Sequence, residues 1–367
     1  MTEPFRTLRE LEELASTHLT GRVGAYVHGG SGDERTLREN RAAFHRWVLR
    51  PRVLTDVHTI DLRTALLDRA VAAPIYVAPM AYHAELHPEG ELVTARVASD
   101  FGIASAYSTL SSRPLEEIGG ANGRGVRWFQ LYPQPDPDRD RELVARAEAA
   151  GFAGILVTAD APILAVRDHQ AEGGFAIDAS VPIGNGPGIV PPPRAPTLDG
   201  SLYQIGASPT ATWATIDRVR SATRLPIVVK GILTAEDAER AIEHGARAIV
   251  VSNHGGRQLD GAPATLDALP EIVEAAQGHA EIYLDGGIRR ASDVLIALAL
   301  GARAVGIGRP ILWALGVGGE AGLRRYFSLL LSEIVHAMAL SGRRSVAEID
   351  RTLVERAGPF RDPPARR

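Results

Sequence analysis

Cysteine is absent from the 367-residue chain. That excludes disulfides and thiolate metal ligands, and it is compatible with a reducing compartment. Long apolar runs are missing too: none approaches the roughly 20 residues that a membrane helix needs. The opening stretch, MTEPFRTLRELEELA, is charged and lacks the apolar core of a secretion signal. Neither sign of charge dominates, with 40 Lys and Arg against 44 Asp and Glu for a net charge of -4. Nothing therefore points to nucleic acid or an anionic membrane as partner. Hydrophobic residues at 45% and charged residues at 23% are ordinary globular values. The expectation is a soluble cytoplasmic protein.

What is present is a rhythm. Short apolar runs rich in β-branched residues occur at 74–79, 103–109, 127–132, 154–160, 226–231, 248–254, 281–287 and 304–310. Continuous apolar character suits parallel strands buried on both faces. Helix-like segments at 90–102, 139–151, 234–245 and 291–301 lie between them, and each ends at glycine, a common helix stop. Position 234 and the pair 291–292 supply candidate caps. Eight strands alternating with helices predict a single-domain (β/α)8 TIM barrel, with a doubly wound open sheet as the alternative. Residues 1–70 read as a helical cap and connecting region, and 71–357 as the barrel. Residues 172–212 contain PIGNGPGIVPPPRAP, too rich in Pro and Gly for a regular element. A loop of this length after the fourth strand reads as a lid over the barrel mouth. Residues 358–367 read as a frayed tail.

In a barrel the chemistry gathers at the C-terminal ends of the strands. Those ends carry Gln130 and Tyr132, Thr158 and Asp160, Lys230, Ser252 and His254, Asp285, and Gly308 with Arg309; Arg167, Arg257 and Arg289 follow closely. The last two loops read DGGIRR and GIGRP. Glycines there let backbone N–H groups approach a phosphate, and Arg289 and Arg309 add directed charge. Two ordinary tight turns are the alternative. Lys230 is either a structural ion-pair partner or a fixed charge beside a group that becomes anionic, such as a reduced flavin. His254 alone could be a core histidine. Asp160 could orient it as a base, while Arg167 and Arg257 could grip one carboxylate from two sides. Tyr26 and Tyr132 could add hydroxyl contacts. A base beside a carboxylate clamp fits proton abstraction at or next to an α-carbon.

The stretch SNHGGRQ at 252–258 resembles the signature of the FMN-dependent α-hydroxy acid oxidases and dehydrogenases. The resemblance extends over roughly residues 5–355. It includes, in order, APMA (78–81), HPEGE (87–91), TLSS (109–112), FQLY (129–132), TADAP (158–162), VKGI (229–232), DGGIRR (285–290) and GIGRP (306–310). It implies that His254 is the catalytic base with Asp160 as partner, and that Arg257 and Arg167 hold the substrate carboxylate. Tyr132 and Tyr26 would contact the substrate, and Lys230 would stabilise the reduced flavin. FMN would be held by Ala78, Pro79, Met80, Ser111, Gln130, Thr158, Lys230, Ser252, the turn from Asp285 through Gly286 and Gly287 to Arg289, Gly308 and Arg309. No metal is implied.

The implied reaction oxidises R–CH(OH)–COO⁻ to a 2-oxo acid. His254 would take either the C2 proton or the hydroxyl proton, and the sequence leaves both open. Three positions depart from glycolate oxidases: Arg113 replaces a tryptophan, Val27 a second tyrosine, and AVR (165–167) leaves Arg167 alone where an Arg pair is usual. Smaller walls there imply a larger substrate, and Arg113 either meets a second anion or faces solvent. HPEGELVTARVASDFG with LSSRPLEEI resembles bacterial mandelate and 4-hydroxymandelate oxidases most. Ala81, where mandelate dehydrogenases tend to carry glycine, favours oxygen as acceptor. The resemblance also implies a homotetramer or octamer. The alternatives are a lactate or glycolate type or long-chain oxidase, an oxidative decarboxylase, an FMN-barrel isomerase, and a non-enzymatic flavin binder.

Overall fold

The computed structural model describes residues 4–174, 178, 180–186 and 208–358. Eight parallel strands close into a barrel. They are β1 (Ile75–Val77), β2 (Ala104–Ser108), β3 (Arg127–Leu131), β4 (Ile155–Thr158), β5 (Ile227–Ile232), β6 (Ala248–Val251), β7 (Glu281–Asp285) and β8 (Ala304–Ile307). Each expected strand is there, and β8 pairs with β1 to complete the ring. Nearly every strand residue is buried, which is why the runs are apolar without alternation.

Three helices precede the barrel: α1 (Leu8–His18), α2 (Gly21–His28) and α3 (Arg35–His45). Thr7 caps α1 by accepting from the Glu10 amide. The barrel's helices are α4 (Glu91–Asp100), α5 (Leu115–Asn122), α6 (Pro137–Ala149), the short α7 (Asp168–Glu172), α8 (Trp213–Ser221), α9 (Ala235–Glu243), α10 (Thr265–Ala276), α11 (Ala291–Ala299) and α12 (Arg309–Ser341). α12 is broken at Gly319, whose φ is +55°. Thr234 caps α9 as expected, its hydroxyl accepting from the Asp237 amide. The expected cap of α11 at 291–292 is corrected: Arg290 is the first flanking residue. Asp293 reaches back from the first turn and accepts from the amides of Arg289 and Arg290.

The barrel's N-terminal end is plugged. Tyr76, Trp128 and Tyr283 fill it, with the Trp128 and Tyr283 rings stacked at 5.6 Å. Gly306 makes the room, since a Cβ there would come within 2.6 Å of the Tyr76 ring. Each large side chain buried this way contributes roughly 1.5–3 kcal/mol. A hairpin over residues 64–71 inserts Leu66 and Leu67 into the same cluster, and the Leu67 amide donates to Glu281 at the start of β7. A second short strand pair, Trp47–Leu49 with Val354–Arg356, was not expected from sequence. With the bottom sealed, polar strand ends collect at the other end. There the register sets Thr158 beside Lys230.

The expected lid, 172–212, lies largely outside the described residues, as does the tail beyond 358. The described part returns to the barrel. Asn185, fully buried, donates to the Thr109 carbonyl and accepts from the Leu115 amide. Among the described residues no helix is long and apolar enough to cross a membrane, and no acidic and histidine cluster could hold a metal.

Candidate active site

His254 sits in a left-handed conformation, φ +60°, followed by Gly255 and Gly256 at +65° and +75°. Such a backbone is uncommon for a non-glycine residue and has to be held by its surroundings. Two contacts hold it. The His254 amide donates to the Ser252 hydroxyl at 3.1 Å. The Asn253 side chain accepts from the Gly256 amide at 3.0 Å. The bend turns the imidazole toward the ends of β4 and β5.

There Nδ1–H donates to Asp160 Oδ1 at 3.0 Å, and the Tyr132 hydroxyl meets Nε2 at 3.3 Å. Lys230 Nζ lies 3.4 Å from Asp160 Oδ2 and 3.5 Å from Nδ1. Burial, then the Lys230 charge, lower the His254 pKa to about 4 against the opposing pull of Asp160. Burial pushes Asp160 the other way, but Lys230 and His254 overcome it and bring its pKa down to about 2. The resting state of the pair is therefore a neutral imidazole beside a carboxylate. With Nδ1 committed to Asp160, Nε2 is the nitrogen able to take a proton. Gly231 permits this approach: a Cβ there would come within 2.5 Å of the Asp160 Cβ.

Arg167 and Arg257 stand beside this pair. Arg167 donates to the Arg257 carbonyl at 3.0 Å and to Gln258 Oε1 at 3.3 Å. Arg257 donates to the carbonyls of Tyr26 and Gly29 at 2.7 Å and lies 5.0 Å from the Tyr26 ring centroid. Among the described residues neither guanidinium has an ion-pair partner. Burial makes both cations costly, and Arg257 lowers the Arg167 pKa further. Two desolvated positive charges without a carboxylate form a site for an anion.

One wall of the site is apolar. Tyr82 and Leu110 pack with Tyr26, Ala81, Tyr132 and Ile183, and the Tyr26 hydroxyl donates to the Ala81 carbonyl. Val27 lies in the hydrophobic core rather than in this wall, and its carbonyl accepts from Arg309. Val27 therefore does not enlarge the substrate pocket. Arg113 donates to the Pro88 carbonyl at the rim, which favours the solvent-facing alternative.

Most of the residues assigned to FMN sit at or just after the C-terminal ends of the barrel strands. Ala78 pairs its amide with the Ile307 carbonyl, and Pro79 and Met80 follow. Gln130 donates to the Thr158 hydroxyl at 2.9 Å, and the Ser252 hydroxyl donates to Asp285 at 2.6 Å. Among the described residues the buried Ser111 hydroxyl has no hydrogen-bond partner, an orphan that a polar ligand would satisfy. A Cβ on Gly308 would meet only the Met80 sulfur at 3.7 Å, so space is left at the N-terminus of α12, where anions bind readily. These residues fit a flavin and its phosphate.

Arg289 and Arg309, the two arginines expected at a phosphate, have different surroundings. Arg309 donates to the carbonyls of Val27, Gly29 and Gly255. Arg289 lies over the Trp313 ring at 4.5 Å, with Glu12 at 3.6 Å. Gly286 and Gly287 have a reason beyond phosphate. At Gly287 a Cβ would come within 2.2 Å of the Asn40 carbonyl oxygen.

Sequence reasoning missed Tyr82, Leu110, Ile183, Asn40, Asn253 and Gln258. Asn40 of α3 and Asn253 exchange two hydrogen bonds of 2.8 Å, both residues buried. Their separation of 213 positions left no local signal. The HPEGE block does have a visible role: Glu91 accepts from the amides of His83 and Ser112.

The model of the FMN-dependent dehydrogenase family matches residues 15–356. An L-lactate oxidase from Nostoc sp. is 47% identical over 350 residues, 94% of this chain and 96% of the relative. The human protein called 2-hydroxyacid oxidase 2 is 41% identical, covering 95% and 97%. A crystal structure of mandelate oxidase with 3,3-difluoro-2-hydroxy-3-phenylpropionic acid superposes with a TM-score of 0.87 at 42% identity, covering 96% of this chain and 99% of that one. The chain belongs to the FMN-dependent dehydrogenase family, as an FMN-dependent 2-hydroxy acid oxidase.

Proposed function

We propose that the enzyme oxidises an aryl (S)-2-hydroxy acid, of the mandelate or 4-hydroxymandelate type, to the 2-oxo acid, with oxygen as acceptor and hydrogen peroxide as product. The observation that carries this reading is the apolar cluster of Tyr82, Leu110 and Ile183, joined to the site through Tyr132 at His254 and Tyr26 at Arg257, beside two arginines without an ion-pair partner among the described residues. An aromatic ring suits that wall, and a carboxylate suits the arginines. Solved structures of mandelate oxidase with benzoyl-formic acid and of a mutant of it with (S)-mandelic acid support it by likeness, the former at a TM-score of 0.86 and 42% identity.

In this reading Arg167 and Arg257 hold the substrate carboxylate. Tyr132 contributes its hydroxyl beside Nε2. His254 takes a proton at Nε2, and Asp160 stabilises the imidazolium that forms. A bound FMN would supply a two-electron acceptor that oxygen can reoxidise. The residues that would hold it are Ala78, Pro79, Met80, Ser111, Gln130, Thr158, Lys230, Ser252, Asp285, Gly286, Gly287, Arg289, Gly308 and Arg309.

A second reading, a lactate-type oxidase, is favoured by the 47% identity to the Nostoc enzyme. Turnover of (S)-mandelate, 4-hydroxymandelate, L-lactate and glycolate with peroxide detection separates the two. A kcat/KM for the aryl acids at least tenfold above that for lactate is expected, and the reverse order sinks the aryl reading. One benzoylformate per peroxide, with no benzoate, excludes oxidative decarboxylation. The family resemblance also supports a tetramer or octamer, which light scattering reads directly.

A further inference from the structure

Gln258 closes the loop that carries Arg167. Its Nε2 donates to the Asp160 carbonyl at 2.8 Å and to the Ile163 carbonyl at 3.1 Å. Its Oε1 accepts from Arg167 Nη2 at 3.3 Å. The side chain is buried, and these three bonds engage both of its N–H donors and its acceptor. One amide therefore ties together the strand end bearing Asp160, the chain running to Arg167, and the Arg167 guanidinium.

The chemistry of the acceptors matters as much as their placement. Arg167 is oriented by the Arg257 carbonyl and the Gln258 amide, both neutral. Both bonds are charge-assisted from the arginine side only, and a carboxylate acceptor would add ion-pair attraction. A carboxylate at position 258 would bind Arg167 more tightly, but it would also spend the charge that a substrate carboxylate needs. An amide fixes the direction of the guanidinium and leaves its charge free. We propose that Gln258 is a positioning residue that aims Arg167 at the substrate carboxylate, and that its neutrality keeps Arg167 available to that anion.

The inference rests on the reading of Arg167 and Arg257 as a carboxylate clamp. The test uses the FMN-loaded enzyme and phenylacetate, a carboxylate without the reacting hydroxyl, with affinity read by isothermal titration calorimetry. Gln258→Glu is expected to weaken phenylacetate about tenfold or more, in keeping with competition by an internal charged hydrogen bond. It should raise the KM for hydroxy acid similarly and leave kcat within a few-fold. Gln258→Met, of similar length but without the hydrogen bonds, is expected to weaken phenylacetate by a smaller factor while keeping its full complement of FMN. It stands as the test if the Glu variant does not fold.

Unchanged phenylacetate affinity in both variants overturns the proposal. So does a Met variant that loses FMN and phenylacetate together, which would mark Gln258 as a general structural residue. If the unaltered enzyme itself binds no phenylacetate, the carboxylate clamp fails, a different outcome from failure of the Gln258 role.

Discussion

Asp160 Oδ1 lies 3.0 Å from Nδ1 of His254, while the other carboxylate oxygen lies 3.4 Å from Lys230 Nζ. This carboxylate thus fixes the imidazole tautomer and balances the lysine charge that would otherwise oppose an imidazolium. Asp160→Asn keeps the shape and removes the charge. It is expected to lower kcat by about 10²- to 10⁴-fold, the usual contribution of a positioned base, with a much smaller change in KM. Steady-state kinetics with flavin occupancy checked by absorbance decides. A variant within threefold of the parent contradicts the role.

The pH dependence follows from the direction of the shifts. The His254 pKa falls from 6.5 to about 4 in the folded state. The general base is then neutral across the physiological range, so kcat/KM is expected to stay level from neutral pH down to about 5 and to fall near 4. An acid limb near 6.5 would contradict this environment.

The same shifts bear on stability. For a depressed folded pKa, the unfolded chain binds the extra proton first. His254 stabilises the fold fully above 6.5 and loses that contribution as the pH drops toward 4. Asp160 adds a further loss between 3.8 and about 2. The melting temperature is expected to fall as the pH goes from 6.5 to 4, and His254→Gln should flatten that slope. An equal slope in the variant contradicts the assignment.

Asn40→Ala removes one half of the reciprocal amide pair and leaves the Asn253 amide buried with fewer partners. A cost of about 1–3 kcal/mol is expected, visible in urea unfolding. The His254 loop loses its tie to α3, so kcat should fall although Asn40 lies in the cap helix. Unaltered stability and kcat would show that the pair is dispensable.

Gly231→Ala places a Cβ within 2.5 Å of the Asp160 Cβ, at a backbone φ of +106° that side chains rarely adopt. Backbone strain of this kind costs on the order of 1–3 kcal/mol. Displacing Asp160 should lower activity more than the loss of stability explains. Full activity at a reduced melting temperature would show that Asp160 tolerates the shift.

The legible parts of the sequence were those with local signals. The eight strands announce themselves because both faces of each are buried, so apolar residues run continuously. Strand ends then place Gln130, Thr158, Lys230 and His254 at one mouth without any knowledge of contacts. The Asn40 and Asn253 pair was not legible, because an asparagine in a cap helix looks like any surface asparagine until its partner is seen. Gln258 was read only as part of a motif, since its three bonds reach back more than ninety positions. Val27 misled for the converse reason: a residue next to Tyr26 in sequence points into the core.

The decisive measurement is anaerobic addition of (S)-mandelate to the purified FMN-loaded protein, followed at the flavin's visible absorbance. Rapid bleaching is expected in the parent and bleaching slowed at least a hundredfold in His254→Asn, with FMN still bound in both. A parent protein that stays colourless after incubation with FMN, or that no 2-hydroxy acid bleaches, would contradict that expectation.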